Sequence, residues 1–231
     1  MASVCIFRQP ENVKISTIVH FPHTQIHIMK AQHFFYAMIG LNTALFLSQL
    51  MGWDMRPFAA LYPLNHPELR WWQWFTHIFL HENILHLLLN MYAIYFFGAP
   101  VLATMKTRKF ALLYLLGGLI GGALYNLVLA IQTPAAYVPH SQILGASGAA
   151  FAILAAFAMR FPNAPLGIMF LPFEFKAKYF VMAIVAYEIF ATFSGVSLFG
   201  SNIAHMAHVG GAIVGCLLTW LWRKRHIHLV K

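Results

Sequence analysis

The chain has 231 residues, 60% of them hydrophobic and 9% charged, and a formal net charge of +9. About a quarter of the residues in soluble domains are charged, so this balance excludes an ordinary soluble protein and indicates a polytopic membrane protein. The basic residues lie in short segments between apolar runs, so no basic face of a soluble domain exists to bind nucleic acid.

Residues 1–32 read as a polar tail with Arg8, Lys14, Lys30 and three histidines, His20, His23 and His27. These histidines lack helical or finger spacing, so a solvated tail is expected rather than a metal site. No signal-peptide pattern is read in it. Residues 33–222 hold six apolar stretches of sufficient length, near 34–51, 84–97, 110–131, 143–159, 179–193 and 203–222. Residues 223–231 form a basic tail. The expected architecture is a single all-α bundle of six membrane spans. Cys5 and Cys216 fall in the tail and the last span, so no disulfide framework is indicated.

Between the first two stretches lies a segment rich in Trp and Pro, with Trp53, Trp71, Trp72, Trp74, Pro57, Pro63 and Pro67. Aromatics of this kind suit the headgroup level, and the segment is long enough to fold back in part into the outer leaflet. "HENILHLLLN", residues 81–90, leads into the second stretch. It nearly matches the H-E-x-x-H helix of zinc proteases, whose histidines share a face at i, i+4. Here His81 and His86 are five apart, and on a continuous helix they point roughly 140° away from each other. They could not share a metal without the backbone breaking between them. His86 and Asn90, four apart, do share a face.

The fourth stretch is short and opens on "GASG", Gly145 to Gly148. Glycines disfavour helix there, and Ser suits a helix start. A helix from Ser147 to near Arg160 has about 14 residues and a length of roughly 21 Å, against a hydrocarbon core of roughly 30 Å. With Arg160 on the inner side, its start would lie on the order of 10 Å below the outer surface. Non-helical backbone at that depth requires protein or a watery cavity around it. The amides of a helix N-terminus stabilise an oxyanion, as acyl transfer requires beside its nucleophile. Small-residue helix packing would also explain these four residues.

The last stretch contains "AHMAHVGGAIVG", in which His208 shares a face with Gly211 and Gly215. Ala207, Gly211 and Gly215 recur every four residues, the spacing that lets helices approach closely. An intramembrane histidine on such a surface is a candidate base. Acids are scarce: Glu82 near the outer mouth and Glu188 in the fifth stretch are not placed by sequence, so a Ser–His dyad is the economical reading. Lys and Arg cluster at residues 106–109, 160–178 and 223–231 and in the first tail, leaving Arg56 and Arg70 on the opposite side. The positive-inside rule then puts both termini in the cytoplasm, most simply in a bacterial inner membrane.

"HENILHLLLN", "GASG" and "AHVGG", in this order in the second, fourth and sixth stretches, resemble the rhomboid intramembrane serine proteases over roughly residues 34–222. The resemblance implies a Ser147 nucleophile and a His208 general base, with His86, Asn90 and the Ser147 amide as oxyanion donors. It implies supporting roles for His81, Gly145, Gly148 and Gly211, no cofactor and no metal. The implied partners are the lipid bilayer and transmembrane protein substrates, cleaved near the outer face. Three positions depart from the family pattern. Trp72-Gln73 stands where Trp-Arg is usual, Phe151 where a tyrosine often packs on the histidine, and His205 where a small or amide residue is common. Two other classes compete: an inactive rhomboid-like protein that binds transmembrane helices, and a metal or proton transporter using His77, His81, His86, His205 and His208. A transporter would more naturally carry paired carboxylates and inverted repeats.

Overall fold

A computed structural model describes residues 22–132, 142–167, 174–197 and 204–223, with side chains from residue 31 onward. Among these the chain is an all-α membrane bundle, and its helices follow the apolar stretches. α1 is Pro22–Leu50, α2 is Arg56–Ala59 and α3 is Gln73–Thr76, running into a 3-10 turn at His77–Phe79. The longer helices are α4 (Ile84–Ala103), α5 (Thr107–Gln132), α6 (Ser147–Arg160), α7 (Ala177–Ser194) and α8 (His205–Leu221). α4, α5 and α7 are long and apolar enough to cross a membrane, while α6 and α8 are apolar but shorter. α1 starts well before the first apolar run. The expectations for residues 1–21 and 224–231 lie outside the described residues.

α6 is the hub. Its residues Gly148 to Ala158 are buried apart from the half-buried Phe151, packed against α4, α5 and α8. In lipid the hydrocarbon solvates apolar side chains as well as another helix does, so association depends on close packing. The contacts reflect this. A Cβ at Gly117 of α5 would meet Ala152 Cβ at 2.5 Å, and one at Gly215 of α8 would meet the Ala152 carbonyl oxygen at 2.2 Å. The small-residue stripe read from the last stretch is therefore a helix contact surface. Larger side chains, among them Phe110, Leu113, Tyr114, Ile153 and Phe157, fill the remaining interior. Leu85, Leu88, Leu89, Tyr92 and Tyr95 of α4 and Tyr179, Met182, Phe190 and Phe193 of α7 stay exposed, as lipid-facing residues should.

Two features were not anticipated. A two-stranded antiparallel ribbon, β1 (Pro165–Gly167) with β2 (Glu174–Lys176), joins α6 to α7. The segment after α1 is also a built unit rather than a loose interfacial belt. Ala60, Leu61 and Ile78 are fully buried, and Leu61 forms an isolated bridge with Ile143, just ahead of α6. Trp72 Nε1 donates to the Phe58 carbonyl at 3.1 Å and stacks on that ring, and Thr76 Oγ1 donates to the Ala59 carbonyl at 2.7 Å. Asp54 and Arg56 pair at 2.7 Å on its surface, and the Arg56 side-chain hydrogen bonds hold the Asp54 carboxyl below its ordinary value.

Gln73 organises this unit where the family pattern has a charge. It is buried, its Oε1 accepts from the Arg70 amide at 3.0 Å, and its Nε2 donates to the Glu68 and Phe58 carbonyls at 3.0 and 3.3 Å. A neutral amide thus joins three backbone groups without a buried charge. Gln73→Ala removes the partner of the Arg70 amide and of the Glu68 carbonyl, while the Phe58 carbonyl keeps Trp72 Nε1, and a buried group left unpaired costs about 1–3 kcal/mol. The expected result is a clearly lower thermal midpoint in detergent, whereas Gln73→Glu should be no milder, because it lacks the donor.

Candidate active site

Gly145 sets the entry into α6. Its φ of +128° lies where side chains are strained, and a Cβ there would sit 2.6 Å from the His86 ring. Its amide donates to the His77 carbonyl at 2.9 Å, tying the turn to the segment after α1. The helix then opens with Ala146 as N-cap and Ser147 as its first residue, and ends at Arg160 after 14 residues. The Ala150 amide closes the first helical bond on the Ala146 carbonyl. The amides of Ser147, Gly148 and Ala149 therefore precede the first ladder bond and make no backbone hydrogen bond among the described residues, at the half-buried Ser147.

α4 brings the second group. The backbone breaks between the two histidines: Asn83 is the N-cap of α4, extended at φ −151°, ψ 172°, and its side chain accepts from the His86 amide at 2.9 Å. His81 precedes the helix, so its ring folds back onto His86, edge to face, with centroids 5.2 Å apart. His81 is wholly buried and neither of its ring nitrogens has a hydrogen-bond partner among the described residues. His86 itself lies against Gly145. Asn90 is buried and its Nδ2 donates to the His86 carbonyl at 3.0 Å, which leaves one amide hydrogen for the site.

α8 supplies the third group. The His208 ring stacks flat on Phe151, centroids 4.3 Å apart and 4° from parallel. Phe151 is one helical turn beyond Ser147, so the imidazole lies along the α6 face that begins with the serine. Phenylalanine thus serves for the tyrosine of the family pattern as a stacking partner. Close approach makes this possible, since a Cβ at Gly211 would sit 2.0 Å from the Gly148 carbonyl oxygen. Gly148 in turn faces the Gly117 and Ala207 carbonyls.

One residue left unplaced by sequence enters the site from α7. Glu188 is buried, and its Oε2 lies 2.6 Å from His205 Nδ1 and 3.0 Å from His208 Nδ1. A carboxylate alone in an apolar span was a signal of function, but its partner lies on another helix and could not be named. Glu82, the other candidate acid, is exposed. The ligand atoms of Glu188, His205 and His208 all lie within 4.8 Å of one another, so among the described residues this trio is the group close enough to hold a metal. Two ligands on tetrahedral zinc stand roughly 3.3 Å apart, given bonds of about 2.0–2.1 Å. The 2.6 Å separation is instead that of a strong hydrogen bond, and the cluster is closed on itself.

The five histidines of the transporter reading differ in their nearest contacts. His77 Nδ1 bonds the Gln73 carbonyl at 2.8 Å, His81 meets His86, and His205 and His208 meet Glu188.

Comparison with known proteins adds to this geometry. A family model described as the Rhomboid domain matches residues 68–225. Presenilin-associated rhomboid-like protein A, mitochondrial, of Danio rerio is 33% identical over 156 residues, 64% of this chain and 38% of that protein. Rhomboid protease GlpG of Pectobacterium atrosepticum is 25% identical over 174 residues, 75% of this chain and 56% of that protein. Rhomboid protein 1, mitochondrial, of Saccharomyces cerevisiae is 32% identical over 142 residues, 62% of this chain and 39% of that protein. The matched region thus spans from 38% to 56% of the length of these relatives.

Proposed function

The chain belongs to the rhomboid family, and we propose that it is an intramembrane serine endopeptidase that cleaves transmembrane segments of other membrane proteins near the outer face. The observation that carries this reading is the convergence of α4, α6 and α8. His208 lies flat on the α6 face that starts with Ser147, and His86 packs against Gly145 at the entry to that helix. A nucleophile, a base and oxyanion donors then come from three helices at one point.

In this mechanism Ser147 Oγ attacks the scissile carbonyl carbon while His208 Nε2 takes its proton. The oxyanion is stabilised by the Ser147 amide and by donors on His86 and Asn90. Collapse expels the amine, which receives the proton from His208. A water then attacks the acyl ester by the same route, regenerating Ser147. A helical peptide bond is shielded by its own hydrogen bonds, so substrates should carry small or helix-breaking residues near the cut.

Cleavage of a single-span model substrate in liposomes tests this, with a fluorophosphonate probe alongside. Cleavage and labelling, both lost in Ser147→Ala, support the assignment. Labelling without cleavage means a reactive serine and the wrong substrate. Folded protein with neither signal would transfer the proposal to a helix-binding rhomboid-like protein without activity.

We propose a bacterial inner membrane as its location, and the distribution of Lys and Arg orients the chain with both termini cytoplasmic. Lys109 near the start of α5 lies over the Trp222 ring after α8 at 5.3 Å, which puts a basic segment and the end of the last helix on one side. A C-terminal fluorescent fusion that folds only in the cytoplasm is expected to fluoresce, and a dark fusion of normal abundance would reverse the orientation.

A further inference from the structure

Glu188 is the buried acid among the described residues, at 6% exposure, and it sits in α7, which contributes none of the groups assigned above. One of its oxygens, Oε2, faces two imidazole nitrogens. His205 Nδ1 meets it at 2.6 Å as a hydrogen bond, and His208 Nδ1 meets it at 3.0 Å but out of line with a ring N–H. His205 and His208 are three apart in the first turn of α8, so both rings turn toward α7. An ionised carboxylate in such a place is costly unless its oxygens are paired. An Nδ1–H on His205 supplies that pairing, and the nearby His208 Nδ1 adds charge complementarity once that ring is protonated.

The consequence for His208 follows from its two nitrogens. A neutral imidazole carries one hydrogen, and whatever the other nitrogen bonds decides which one bears it. A carboxylate beside Nδ1 favours the hydrogen there and leaves the lone pair on Nε2, the edge of the ring away from α7. Only in that form can His208 accept a proton from the serine hydroxyl. Once it has done so, the ring is an imidazolium 3.0 Å from a carboxylate in a water-poor interior, where attraction between opposite charges is stronger than in water. The resting contact is out of line and would straighten as the charge develops, as hydrogen bonds in empty active sites often do.

We propose that Glu188 is a positioning residue for His208, held in place by His205, and that the site works as a Ser147–His208–Glu188 relay rather than a dyad. This rests on the assignment of His208 as the base. Glu188 does not touch substrate and takes up no proton. It sets the tautomer of His208 and stabilises its cation, while the hydrogen bond from His205 fixes which way the carboxylate points. His205, a departure from the family pattern, is then explained as the partner of an acid on the neighbouring helix.

The first test is Glu188→Gln in the full-length protein in liposomes, with Glu188→Asp as the conservative variant. The expected result is a kcat lower by about 10²- to 10⁴-fold with KM changed by less than about threefold. Fluorophosphonate labelling should slow in parallel, and Glu188→Asp should recover part of both. Loss confined to KM, or no loss in a folded Glu188→Gln protein, overturns the proposal. The second test does not depend on proteolysis. Nitrogen NMR of histidine-labelled protein, with His208 assigned by difference against His208→Gln, reads its tautomer directly. Nδ1–H in the wild type, lost or mixed in Glu188→Gln, is expected. Nε2–H in the wild type overturns the proposal, even if Glu188→Gln fails to fold. A wild-type protein that neither cleaves nor labels but holds Nδ1–H would defeat the protease assignment and leave the Glu188 contact standing.

Discussion

Ser147→Ala is expected to abolish cleavage, with a fall in kcat of roughly 10⁴- to 10⁶-fold, while leaving the fold intact. The serine is the first residue of α6 and half-buried, so losing one hydroxyl removes little packing. His208→Ala should lose nearly as much activity, since nucleophile and base act as a unit and their losses do not add. The oxyanion donors should behave differently. Asn90→Ala and His86→Ala each remove one donor beside a backbone amide that remains, and each should cost about 10²- to 10³-fold. Rate measurements on these four variants, with thermal midpoints as a control for folding, check the order. Ser147→Ala retaining more activity than Asn90→Ala would sink the assignment of the nucleophile.

Gly211→Val is expected to be the most damaging packing substitution. Even a Cβ at this position would lie 2.0 Å from the Gly148 carbonyl oxygen, and the obstacle is backbone, which cannot rotate away. α8 would have to withdraw from α6, at a cost of about 1–3 kcal/mol or more. The same withdrawal lifts His208 off Phe151 and away from Ser147, so activity should fall by more than the stability loss alone explains. Gly40 in α1 provides the contrast, with nothing within 4 Å of its Cβ position. Gly40→Ala should be neutral or stabilise by about 0.5–1 kcal/mol, because it removes a flexible residue from a helix. Thermal unfolding in detergent, followed by cleavage at a temperature where both variants are folded, separates the two effects. Equal midpoints for the two variants would show that the close contact of α6 and α8 is not a determinant of stability.

Much of this protein was legible from residue order. Apolar runs of membrane length gave the helical bundle, because in lipid every backbone polar group must be satisfied within its own segment. The glycines on either side of Ser147 and the arginine at 160 bounded α6 at the observed residues, because helix breakers and charges act locally. The four-residue spacing of Ala207, Gly211 and Gly215 identified a contact face for the same reason: a helix face is a property of one segment.

What the sequence did not contain were relations between segments. The periodicity that separates His81 from His86 assumes a continuous helix, and Asn83 ends that assumption by capping α4 after His81, so the rings meet. A capping asparagine competes with helix propagation, and spacing alone does not say which wins. Gln73 read as a missing charge, yet its three hydrogen bonds depend on where the Phe58, Glu68 and Arg70 backbones fold. Glu188 is the clearest case. Its chemistry was visible as a carboxylate in an apolar stretch, but its role rests on the angle at which α7 meets α8. That angle is set by packing summed over both helices, and no short motif records it. Local chemistry named the groups, and tertiary structure decided which of them touch.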